Sequence, residues 1–232
     1  MMKTIGLLGG MSWESTAIYY RVLNEGIKSA LGGFHSARIA LVSVDFDEIE
    51  KLQHAGDWEQ MAQLLAAAAK SVETAGADFL LICTNTMHKV SPQIEQAISI
   101  PLLHIADATA EQLVRDRIKC VGLLGTQFTM EEDFYKRRLT EKFAIEVVIP
   151  DAKDRKLVHE VIYTELCMGK IEDGSRSSYV NIIDKLKQKG AEAVILGCTE
   201  IALLVQQAHT PVPLYDTTEI HAQQAIRFAL AD

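Results

Sequence analysis

The residues best equipped for chemistry fall in two clusters, Cys83-Thr84-Asn85-Thr86-Met87-His88 and Gly197-Cys198-Thr199-Glu200. Each follows a Gly-Ala-acid start and a short apolar run, Gly76-Ala77-Asp78 in one case and Gly190-Ala191-Glu192 in the other. Laid over each other without a gap, they place Thr84 opposite Cys198 and Cys83 opposite Gly197. A free thiol titrates near ~8.5, so forming thiolate at neutral pH costs about 2 kcal/mol, and thiol and thiolate can act as an acid and base pair. Neighbouring side chains of an extended chain point to opposite faces, so Cys83 and Thr84 cannot both reach one site without an irregularity. Whether Cys83 or Thr84 faces the site stays open, with a buried Cys83 favoured.

The elements that must hold these clusters follow from the pattern around them. The apolar runs before Cys83 and Cys198 are too short and too rich in branched residues for helices, so they read as strands buried on both faces of parallel sheets. The polar clusters then sit at carboxyl ends, where open α/β sheets bind ligands. Thr4–Leu8 reads as a first strand, and Gly9-Gly10-Met11-Ser12 as a glycine turn into a helix reaching Leu31, with Ser12 as N-cap. That turn is not G-x-G-x-x-G, and no acidic residue follows at the dinucleotide spacing, so the nest suits a small carboxylate better than a nucleotide. Residues 37–44 read as a second strand, 45–57 as a polar connection, 57–75 as a helix, and 100–109 as a fourth strand entering another helix.

The second half starts over. Val121-Gly122-Leu123-Leu124-Gly125 repeats Ile5-Gly6-Leu7-Leu8-Gly9 about half a chain later, and the central strands repeat with nearly the same shift. The fold expected is α/β: two similar domains of about four parallel strands flanked by helices, with the active site in the cleft between them. The domains are residues 1–106 plus 217–232, and residues 107–216. Such a near-symmetric site suits a reaction performed from two opposite faces.

The bulk composition excludes several functions. A net charge of −8 disfavours nucleic-acid and anionic-membrane partners. No apolar run approaches the ~20 residues that span a bilayer, and no signal-peptide core opens the chain, which points to the cytoplasm. The cysteines, Cys83, Cys120, Cys167 and Cys198, form no C-x-x-C pair, so neither a zinc knuckle nor a disulfide framework is expected.

Together, Gly9-Gly10-Met11-Ser12, Thr84-Asn85-Thr86-Met87-His88 and Gly197-Cys198-Thr199-Glu200-Ile201 resemble the cofactor-independent aspartate/glutamate racemase family, closest to its bacterial broad-specificity branch. The resemblance runs along essentially the whole chain. It implies an isomerase that needs no cofactor or metal, forms a homodimer, and takes a small amino acid as its partner. In that family two cysteines work from opposite faces of the substrate α-carbon. Here the family register places Cys198 at the second position and Thr84, not a cysteine, at the first, leaving Cys83 as the other candidate. The resemblance further suggests Met11, Ser12, Gln53, Asn85, Thr86, Thr126, Thr129, Glu165 and Thr199 as substrate-binding residues. Other members place a lysine near residues 162–166; none stands in register here, and Cys167 falls near that slot. Two further functions fit one cleft cysteine: a decarboxylase or maleate-isomerase-like enzyme of the same superfamily, and a non-catalytic amino-acid-binding protein.

Overall fold

The computed structural model describes residues 1–231. The chain divides into two compact units, the first formed by Met1–Ile105 together with the stretch from His221, the second by Ala106–Ile220. In the first, β1 (Ile5–Gly9), α1 (Trp13–Leu31), β2 (Ile39–Ser43), α2 (Phe46–Ala55), α3 (Trp58–Thr74), β3 (Phe79–Ile82) and α4 (Ser91–Ala97) follow in order. Helix α5 (Ile105–Arg115) carries the chain out. The second unit holds β4 (Cys120–Gly125), α6 (Gln127–Glu131), α7 (Asp133–Phe143), β5 (Glu146–Val148), α8 (Ala152–Thr164), α9 (Asp173–Gln188), β6 (Ala193–Gly197), α10 (Ile201–Leu204) and β7 (Leu214–Asp216). Helix α11 (Thr217–Leu230) returns the chain to the first unit.

All pairings between these strands are parallel, in the orders β2-β1-β3 and β5-β4-β6-β7. Helices cover the strands, which explains why β1, β3 and β6 are apolar at nearly every position rather than alternating. Alternation survives as a choice of core. Phe79, Leu81 and Cys83 pack with Tyr19, Leu23 and Ala222, whereas Leu80 and Ile82 pack with Met61, Leu65 and Val72 of α3. In the second unit, Val194 and Leu196 pack with α8 and α9 residues such as Val158, Ile162, Tyr179 and Ile183.

Two local expectations give way. The polar connection at 45–57 is mostly the helix α2, capped by the Asp45 carboxylate at the Asp47 amide and stopped by Gly56 at φ 71°. Its apolar Ile49, flanked in sequence by charges, is buried in the cluster of Leu8, Met11 and Met61, and that one-sided burial fixes the helix. The fourth strand of the first half shrinks to a single parallel bridge, Leu80↔Leu102. The ladder there consists of Leu80 N→Pro101 O and Leu103 N→Leu80 O, and the chain enters α5 at Ile105.

Candidate functional site

The first unit gathers its candidate residues at the carboxyl ends of β1 and β3. Cys83 N donates to Leu8 O (2.9 Å), which sets the turn after β3 beside the Gly9–Ser12 turn. Gly10 adopts φ +94°, and a Cβ there would run into the backbone of Val44, so only glycine lets the chain turn here. Ser12 caps α1, its Oγ accepting from Ser15 N (3.3 Å), while Ser15 Oγ donates to Cys83 O (3.0 Å). Ser12, Asn85 and Thr86 are buried, as is Met11, which shares an apolar cluster with Met87 and Ile49. Gln53, on the last turn of α2, is buried too.

Within this group Cys83 and Thr84 part company. Cys83 is 0% exposed, continues the Phe79 and Leu81 face into the core, and its thiol is pushed far up by burial. Thr84 is half-buried. Its carbonyl accepts a hydrogen bond from His88 Nδ1 (2.8 Å).

The second unit repeats the arrangement at β4 and β6, where Gly125 and Gly197 are register partners and bring Thr126 beside Cys198. Thr126 caps α6, and its Oγ1 lies 3.2 Å from Thr129 Oγ1. Thr126, Thr129, Thr199 and Glu200 are buried. Cys198, half-buried on the face that carries Val194 and Leu196, donates its thiol proton to Glu200 Oε2 (3.0 Å). Burial, then the Glu200 carboxylate and Cys167, push that thiol well above its ordinary range. Cys198 therefore rests protonated, which departs from the low cost of ionisation expected for a solvated thiol. Glu165, at the end of α8, is engaged by Ser175 Oγ (2.6 Å) and does not point to a free carboxylate. Cys167 packs on the same core cluster as Cys198. Cys120 opens β4, its thiol raised by burial and by Glu146 and Glu192.

Glu200 stands in the second sequence cluster without an assigned role. Its signal was the spacing, two residues past the cysteine in a tight turn, where a long carboxylate can fold back on the sulfur. His221 carried no signal at all, being one polar position in an otherwise ordinary helix, yet it is fully buried. Among the described residues, no group of three or more His, Cys, Asp or Glu is arranged to hold a metal ion, and no helix is long and apolar enough to cross a membrane.

Comparison with known proteins places this architecture. The profile of the Asp/Glu/Hydantoin racemase family matches residues 8–225. A crystal structure from Yersinia pestis, provisionally described as an Asp/Glu racemase, is 55% identical and superposes with a TM-score of 0.94 over 99% of this chain and 100% of that one. An aspartate racemase homologue from Pyrococcus horikoshii OT3 is 33% identical, with a TM-score of 0.86 over 99% of this chain and 100% of its own. The broad specificity amino-acid racemase RacX of Bacillus subtilis (strain 168) is 24% identical over 98% of each chain. With one profile spanning both units and these relatives matched nearly end to end, the chain belongs to the Asp/Glu/Hydantoin racemase family, a family of isomerases.

Proposed function

We propose that the protein is a pyridoxal-independent amino-acid racemase of aspartate/glutamate or broader specificity, with Cys198 as its main acid and base and Thr84 serving the opposite face of the α-carbon. One observation carries the reading: in a chain of this family, Cys198 Sγ donates to Glu200 Oε2 at 3.0 Å at the end of β6. Transfer of that proton to Glu200 turns a thiol beside a carboxylate into a thiolate beside a carboxylic acid, with no change in the charge of the pair. The thiolate then removes the α-proton, and the electron pair left on carbon spreads into the substrate carboxylate. Hydroxyls and amides around Ser12, Asn85, Thr86, Thr126, Thr129 and Thr199 stabilise that charge. A proton from the Thr84 side, from the hydroxyl or a water it holds, completes inversion. The family resemblance assigns Met11, Gln53 and Glu165 to substrate binding, and in this reading they bear on which substrate side chains are accepted.

We further propose a cytoplasmic location and, as the family resemblance implies, a homodimer, with functional domains at residues 1–106 plus 217–232 and residues 107–216. The test is a panel of L- and D-amino acids in deuterated water. The reading expects α-deuterium uptake with at least one acidic or polar amino acid, and its loss to background in Cys198→Ser while the circular dichroism spectrum persists. An alcohol ionises far less readily than a thiol, so a Cys198→Ser variant that kept most of its activity would remove Cys198 from the mechanism.

A second reading draws on the same observation. A resting thiol is also what protonates a carbanion after loss of carbon dioxide from a malonate. Release of carbon dioxide separates the two: racemisation exchanges the α-proton and keeps every carbon.

A further inference from the structure

Behind the Thr84 turn lies a group of three buried imidazoles, His88, His104 and His221, exposed by 1%, 4% and 0%. His88 Nδ1 stands 2.8 Å from Thr84 O, which can only accept, so Nδ1 carries the proton and donates. Nε2 is then a lone pair, and it accepts the Ile105 amide at 3.2 Å. Ile105 is the first residue of α5 and the last of its unit; the chain passes into the other unit at Ala106 and returns at His221, within α11. His221 Nε2 donates to Leu103 O (2.8 Å), and its Nδ1 accepts from the Tyr19 hydroxyl (2.8 Å). The rings also touch: His88 lies 4.4 Å from His104 and 6.1 Å from His221, centroid to centroid.

A histidine that merely fills space bonds within its own element. His88 instead joins two elements through its two nitrogens, and a buried polar ring that loses either bond incurs a desolvation cost. Thr84, the Leu103–Ile105 segment and His221 are thus linked through hydrogen bonds to buried imidazoles. Burial lowers the His221 pKa to about 4, so that ring stays neutral near pH 7.

We propose that His88 is a positioning residue that couples the Thr84 turn to both passages of the chain between its two units, so that the placement of Thr84 depends on the backbone at residues 103–105 and 221. The effect on the reaction rests on the reading that Thr84 serves one face of the substrate; the coupling does not. Misplacing a reacting group by about 1 Å can cost about 100-fold in rate.

Amide hydrogen exchange tests the coupling without any substrate. In the wild-type protein at low urea, amides of the Thr84–His88 turn, of Leu103–Ala106 and of the turn after His221 should open together with one free energy and one urea slope. Separate openings would overturn the proposal, and this measurement stands even if variants fold poorly. His88→Asn keeps a donor near Thr84 O but has no acceptor for Ile105; His88→Gln does the reverse. Coupling expects both stretches to exchange at least about 10-fold faster in both variants, whereas loosening of only the unbonded end in each would contradict it. In deuterated water, both variants should lower wash-in on the Thr84-served face at least about 10-fold relative to the Cys198-served face. An equal loss on both faces means a structural role only and overturns the positioning claim. Absence of exchange in the wild type would instead strike at the racemase reading, and the amide data would still decide the coupling.

Discussion

On the proposed mechanism two demands oppose each other at Cys198: a base must ionise, yet this sulfur is half-buried and hydrogen-bonded to a carboxylate that raises its pKa. Both demands are met if the proton moves to Glu200 only as substrate is engaged. Glu200→Gln should therefore slow α-proton removal by about 100-fold or more, the scale of a lost general base, while the Ellman-accessible thiols and the fold stay unchanged. Full activity in that variant would remove Glu200 from the proton path. Cys83 presents the contrary case. Its sulfur sits among Phe79, Leu81 and Tyr19, so Cys83→Ser buries a hydroxyl in apolar surroundings and should cost about 1–3 kcal/mol of stability with little change in exchange rate. Thermal unfolding and deuterium wash-in, measured on the same sample, separate the two; a collapse of rate at unchanged stability would put Cys83 in the site. Thr84→Cys supplies the second face with a group that ionises cheaply, so it should speed the slower enantiomer and even out the two wash-in rates.

Among the elements, the strands were readable and the connections were not. The β1, β3, β4 and β6 runs are apolar because helices cover both faces, and that pattern survives in the sequence. The Cys83/Gly197 offset was also readable, and its cause is now physical: Cys83 has a pocket among core side chains, while a Cβ at Gly197 would meet Leu124 O at 2.8 Å. Helix α2 is hard to read because its charges mask a single buried stripe, although Asp45 and Gly56 mark both caps. The histidine cluster was illegible, since it joins residues from four separate stretches, Tyr19, His88, Leu103–Ile105 and His221. It has a pH signature. The His221 pKa falls from 6.5 in the unfolded chain to about 4 in the folded protein, so its contribution is complete above pH 6.5 and is lost as pH drops toward 4, where only the unfolded chain takes the proton. The loss should total about 3 kcal/mol. Urea unfolding at pH 7 and pH 4.5 should show a smaller difference in His221→Gln, which keeps a donor for Leu103 O; an unchanged difference would place the acid sensitivity elsewhere.

Over the whole molecule, duplication was the strongest message in the sequence, and it survives as two parallel sheets in which β1 and β4 each pair with the two strands that follow in their own half. The halves have since diverged. The first has a single bridge where the second has the strand β7, and it carries a threonine where the second carries a cysteine. On the proposed mechanism those differences make the reaction symmetric in outcome but not in rate: the equilibrium between enantiomers is fixed, so kcat/KM must match in the two directions, while exchange with solvent need not. The most direct measurement follows each enantiomer of one accepted amino acid in deuterated water, recording configuration, α-deuterium and carbon dioxide together. The account predicts inverted product carrying one solvent deuterium at the α-carbon, no carbon dioxide, and initial wash-out markedly faster from one enantiomer than from the other. Inversion with the original α-hydrogen retained, release of carbon dioxide, or equal wash-out from both enantiomers would contradict it.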